Sequence, residues 1–73
     1  MALIQVKAEI SGSVWKIETK AGQQVMEEDV LLIMESMKME IPIMAPAAGV
    51  VKEIKVKEGD TIAEGDLAVV LEE

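Results

Sequence analysis

The stretch Glu35-Ser36-Met37-Lys38-Met39-Glu40 carries the residue pattern best suited to chemistry in this 73-residue chain. A lysine amine is a nucleophile once deprotonated, and here it stands between two methionines, which offer a partner soft, adaptable apolar handles. The apolar run Val30-Leu31-Leu32-Ile33-Met34 precedes it and Ile41-Pro42-Ile43-Met44 follows it. Two apolar runs around a short polar break predict a β-hairpin with Met37-Lys38 at its tip. Tight hairpins favour Asn-Gly or Asp-Gly because both turn residues need positive φ. Met-Lys departs from that rule, and a local rule broken at one place marks a candidate functional position. A two-residue tip also sets Glu35 opposite Glu40, a mildly unfavourable pairing of like charges.

No second constellation competes with this one. The chain has no histidine and no cysteine, so the usual general base, the thiol nucleophile and a conventional zinc ligand set are all missing. Its carboxylates are spread over loops. Neither a catalytic nor a metal site is expected.

The elements that must hold Lys38 come from an internal repeat with an offset of 37 residues. Gly12 corresponds to Gly49, Val14 to Val51, Ile17 to Ile54, Gly22 to Gly59, Asp29 to Asp66 and Glu35 to Glu72. The apolar run 30–34 corresponds to 67–71. The half-repeats cover about 1–36 and 38–73. The Ser36-Met37-Lys38-Met39 motif occurs once, outside the repeat's logic, and calls for a reason of its own. In each half the pattern reads strand, turn, short strand, loop, strand. Residues 3–10 alternate, with Ile4, Val6, Ala8 and Ile10 on one face. A second strand runs from Gly12 to about Lys20, and a β-bulge between Val14 and Ile17 lets both face inward. Gly22 and Gly59 supply turns, and Asp29 and Asp66 are placed to cap loop amides. Pro46 ends the strand that leaves the hairpin. Trp15 corresponds to Lys52, so it is expected on the outer face. About eight short strands with no helical periodicity predict an all-β fold: a flattened barrel or sandwich of two four-stranded antiparallel sheets with quasi-two-fold symmetry.

The length permits one small domain, 1–73. A net charge of −7 argues against nucleic acid and anionic membrane surfaces, and suits partners with basic surfaces. No apolar run is as long as a membrane span and no signal peptide is visible, so a cytoplasmic monomer is the expectation. No Ala/Pro-rich linker is visible. Both a free-standing protein and a domain cut from a longer chain fit.

Glu35-Ser36-Met37-Lys38-Met39, together with the repeat, resembles the biotin carboxyl carrier and biotinyl/lipoyl attachment domains, above all the small single-domain biotin/lipoyl attachment proteins. The common form of their motif is Ala-Met-Lys-Met, with Ser36 here in the alanine's place. The resemblance covers almost the whole chain. It implies a barrel-sandwich fold with the lysine on a hairpin at one end and both termini at the other, and there is no room between strands for a thumb loop. It implies covalent biotin on Lys38, attached by a biotin protein ligase that reads Met37, Met39, Ser36 and Glu35. A solvated lysine amine is mostly protonated near neutral pH, so the ligase must supply activation through an acyl adenylate. It further implies a carrier rather than an enzyme, serving a biotin carboxylase and a carboxyltransferase. Two alternatives stand beside it. One is lipoate on the same lysine, although lipoyl domains usually read Asp-Lys-Ala where this chain has Met37-Lys38-Met39. The other is an unmodified lipoyl-like interaction domain.

Overall fold

The computed structural model describes residues 2–73; Met1, at the start of the first half-repeat, lies outside the described residues. Eight strands follow in order: β1 Leu3–Lys7, β2 Gly12–Ile17, β3 Gln24–Val25, β4 Val30–Ser36, β5 Met39–Met44, β6 Gly49–Ile54, β7 Thr61–Ile62 and β8 Leu67–Glu72. They form two antiparallel four-stranded sheets, β1-β8-β6-β3 and β5-β4-β2-β7. The expected all-β architecture is thus the one observed.

The 37-residue offset turns β1 to β4 into β5 to β8, and so turns one sheet's strand order into the other's. Each sheet takes two strands from each half. The halves are interleaved across the core, so neither buries its apolar face without the other. Their irregularities repeat as well. The β2–β4 register shifts between Val14 and Lys16, and the β6–β8 register shifts between Val51 and Glu53. In β2 this leaves Trp15 and Lys16 opposite Ile33 alone, so both point outward while Val14 is buried and Ile17 packs against the core. Trp15 is 48% exposed, on the outer face as its correspondence with Lys52 requires.

The core is filled by inward residues of both sheets, with Val14, Val25, Leu31, Leu32, Met34, Val51, Val69 and Leu71 almost fully buried. Each such side chain contributes roughly 1.5–3 kcal/mol relative to an exposed one. Two strands are shorter than their sequence patterns suggest. β1 ends at Lys7, because Ala8 turns away to exchange backbone bonds with Asp66 and Gly65. β2 ends at Ile17, beyond which the Glu18 N–H and the buried Thr19 hydroxyl both donate to the Leu31 carbonyl. Asp29 and Asp66 accept from the Met26 and Ala63 amides at 2.8 and 2.9 Å, so both do cap their loops. Pro42 lies inside β5, where its missing N–H is tolerated because β5 is a sheet edge.

Gly12 supports the hairpin from beneath. A Cβ at this position would sit 2.6 Å from the Glu35 carbonyl oxygen, and one at Gly49 would sit 2.8 Å from that of Glu72. Gly12→Ala is therefore expected to destabilise the domain by about 1–3 kcal/mol through overpacking against backbone. Urea unfolding checks this: a midpoint equal to wild type would show that β2 and β4 can part without cost.

Candidate functional site: the Met37-Lys38 hairpin

Strands β4 and β5 pair in register up to Ser36 opposite Met39, leaving Met37 and Lys38 as a two-residue turn. Their φ angles are +52° and +66°. Both residues therefore occupy the left-handed region that a twisted two-residue hairpin demands. Side chains with a Cβ enter that region at a cost of roughly 1–2 kcal/mol per residue. The strain is held in place by the strands below and by the Ser36 hydroxyl, which donates to the Ser11 carbonyl at 2.9 Å. Ser11 in turn accepts from the Glu64 amide through its own hydroxyl, at 3.2 Å. Ser36, expected in a recognition motif, thus also ties the hairpin base to the neighbouring loops, a role its position in the sequence did not signal.

Asn at the first turn position tolerates positive φ, because its short polar side chain bonds locally. Met37→Asn is expected to raise the unfolding free energy by about 1 kcal/mol, the strain it relieves. A thermal melt reads this, and a lower melting temperature would show that Met37 supports the fold.

The tip is exposed. Met37 is 92% and Met39 63% exposed, whereas Met34, a few residues earlier, is fully buried. Lys38 is exposed and forms no ion pair among the described residues. Glu35 and Glu40 are exposed and directly opposite each other, as a two-residue loop requires. The five sequence-predicted site residues, Glu35, Ser36, Met37, Lys38 and Met39, therefore share one end of one hairpin. That end lies away from Leu3 and Glu72. Ser36 and Glu64 both bond Ser11, β8 starts just after Glu64, and its far end pairs Glu72 with Leu3. The domain is elongated, 36 × 18 × 17 Å. Elsewhere, Lys55 beside Glu53 holds that carboxyl below the usual range, by a hydrogen bond first and by its charge second. Glu53 lies on β6, in the sheet without the hairpin, and takes no part in the tip.

An exposed primary amine with no ion pair among the described residues, at the tip of a two-residue hairpin turn, is open to covalent acylation.

Comparison with known proteins shows the family. The family described as "Biotin-requiring enzyme" matches residues 5–71. The biotin/lipoyl attachment protein of Bacillus subtilis is 48% identical over 47 residues, 64% of this chain and 64% of its own length. A biotinylated protein TB7.3 homolog of Mycobacterium leprae is 50% identical over 46 residues, 63% of this chain and 65% of its own. The match spans just under two thirds of either relative. The Kluyveromyces lactis urea carboxylase superposes on 97% of this chain with a TM-score of 0.92 and 32% identity, and the matched part is 6% of that enzyme. With this hairpin, this doubled sheet and these relatives, the chain belongs to the biotin/lipoyl attachment family, whose members are carrier domains rather than catalysts.

Proposed function

We propose that this protein carries biotin on the Nζ of Lys38, attached by a biotin protein ligase, and serves a biotin carboxylase and a carboxyltransferase. The observation that carries the reading is Lys38 itself: an amine at positive φ between two exposed methionines, with no ion pair among the described residues. Biotin, when bound, supplies the ring nitrogen that accepts and releases a carboxyl group. The chain's residues do the rest. Lys38 provides the amine that displaces the adenylate from the activated acid, forming an amide and losing a proton. Its charge vanishes, and the net charge moves from −7 to −8. The turn at Met37 and Lys38 sets the direction in which the arm leaves the domain. The body of the domain separates the arm from the paired Leu3 and Glu72.

A second reading, lipoate on the same amine, is favoured by the name of the B. subtilis relative, a biotin/lipoyl attachment protein. Intact mass of the protein made in cells tests both. A gain of biotin minus water supports the proposal, a gain of lipoate minus water supports the second reading, and an unmodified mass in cells with active ligases overturns both.

A further inference from the structure

The repeat provides an internal control for the surface beside the tip. In the second half, Lys52 at the β6 bulge makes an ion pair with Glu72 at 3.8 Å. The corresponding residues in the first half are Trp15 at the β2 bulge and Glu35 at the hairpin base. The fold can therefore hold a cation at this place, yet the first half replaces it with the chain's only aromatic, half exposed. Glu35 and its opposite neighbour Glu40 have no ion pair among the described residues. The difference extends across the sheet. Outward-facing Pro42, opposite Ile33, corresponds to Gln5, and Met44 corresponds to Lys7. At Trp15, Pro42 and Met44 the outer face of the hairpin sheet is apolar where its twin has Lys52, Gln5 and Lys7. Glu40 and Ser13 stand where the twin has Leu3 and Val50, and Lys16 faces outward opposite Ile33. Glu35 lacks the cation that its counterpart Glu72 has.

We propose that this face, with Trp15, Ile33 and Pro42 at its centre and Glu35 and Glu40 at its tip-side edge, is a second docking surface for the biotin protein ligase. The inference rests on the reading of Lys38 as the ligase's acceptor. The partner it fits presents an apolar patch edged by lysine or arginine, one of which takes the place of Lys52, pairing with Glu35 and stacking on Trp15. Size supports this occupant. A stable protein interface covers about 800 Å² per partner, a disc of about 16 Å radius. A protein that encloses the Lys38 amine must therefore extend past the tip. Pro42 lies three residues along β5 from Met39, about 10 Å at strand rise. Trp15 lies two strands across from Pro42, about 10 Å further over the same sheet.

The experiment measures the KM and kcat of a purified bacterial biotin protein ligase on the unmodified full chain, with biotin and ATP saturating. Trp15→Lys imports the residue type that the other half already uses at this place, where the new amine can pair with Glu35. Folding should therefore persist, and circular dichroism checks it. KM is expected to rise about tenfold, the change that 1.4 kcal/mol of lost contact produces, with kcat altered much less. Trp15→Phe should restore most of the affinity. Val50→Ser, which swaps an exposed apolar residue of the other sheet for its counterpart Ser13, should leave KM alone. Wild-type KM should climb with added salt, and Glu35→Gln should both raise KM and flatten that climb. A folded Trp15→Lys variant with wild-type KM overturns the proposal, as does a loss confined to kcat. If Trp15→Lys does not fold, Pro42→Gln, which imports the counterpart residue Gln5, decides, and an unchanged KM there overturns the proposal. Failure of wild type to be labelled at all is a different result, and it removes the reading of Lys38 itself.

Discussion

Lys38→Arg is expected to abolish biotin attachment while leaving the domain folded. The effect on labelling should be complete, because arginine stays protonated under any condition a ligase tolerates and cannot displace the adenylate from the activated acid. The effect on stability should be within about 0.5 kcal/mol, because Lys38 is exposed, makes no ion pair among the described residues, and is replaced by a residue of like charge and similar cost at positive φ. Incubating folded variant and wild type with ligase, biotin and ATP, then measuring intact mass, gives the answer. Labelling of the variant would mean that another lysine is the acceptor. Lys52 and Lys57 are the next to test, although Lys52 already pairs with Glu72 on the outer face. Such a result would remove the hairpin from the mechanism altogether.

The repeat makes much of this architecture legible in the sequence. An offset of 37 residues tells which strands are equivalent, and parity within β2 places a bulge between Val14 and Ile17, where the register does shift. Equivalence also puts Trp15 outside, because a lysine stands in its place in the other half. What equivalence cannot tell is which strands pair. The interleaving of the halves into β1-β8-β6-β3 and β5-β4-β2-β7 depends on contacts between residues far apart in the chain. A period-two pattern marks which face of a strand is buried but not which neighbour covers its edge. The tip illustrates the same boundary. Poor turn chemistry at Met37-Lys38 flags strain, and the positive φ angles agree. The Ser36–Ser11 hydrogen bond that helps to hold the hairpin joins residues 25 apart, and a serine in a polar stretch gives no sign of its partner. Thr19 is silent in the sequence for a related reason. It stands where the other half has Val56, and both are buried. The hydroxyl is accommodated only because the Leu31 carbonyl is there to accept its hydrogen.

Replacing Met37 by Asp and Met39 by Ala is expected to cost most of the biotinylation rate and to make the domain a better acceptor of lipoate. The argument starts from exposure. At 92% and 63% exposed, the two side chains have most of their surface available to a partner. Burying one such side chain stabilises a complex by roughly 1.5–3 kcal/mol, and each 1.4 kcal/mol lost is about tenfold in affinity. If the ligase covers both methionines, the double variant removes both contacts and sets a carboxylate against an apolar surface, which adds a desolvation cost. Folding should hold or improve slightly, since neither methionine contributes to the core and Asp tolerates positive φ better than Met does. The same Asp-Lys-Ala tip is the form usual among lipoyl domains, so the scaffold and the lysine stay constant while the neighbours change. The measurement is a pair of initial rates, one with biotin protein ligase and one with lipoate ligase, on folded wild type and variant. A fall in the first with a rise in the second locates cofactor choice in the two side chains beside Lys38. An unchanged biotin rate would show that the ligase reads the shape of the hairpin and the position of its amine, with the methionines contributing nothing to recognition.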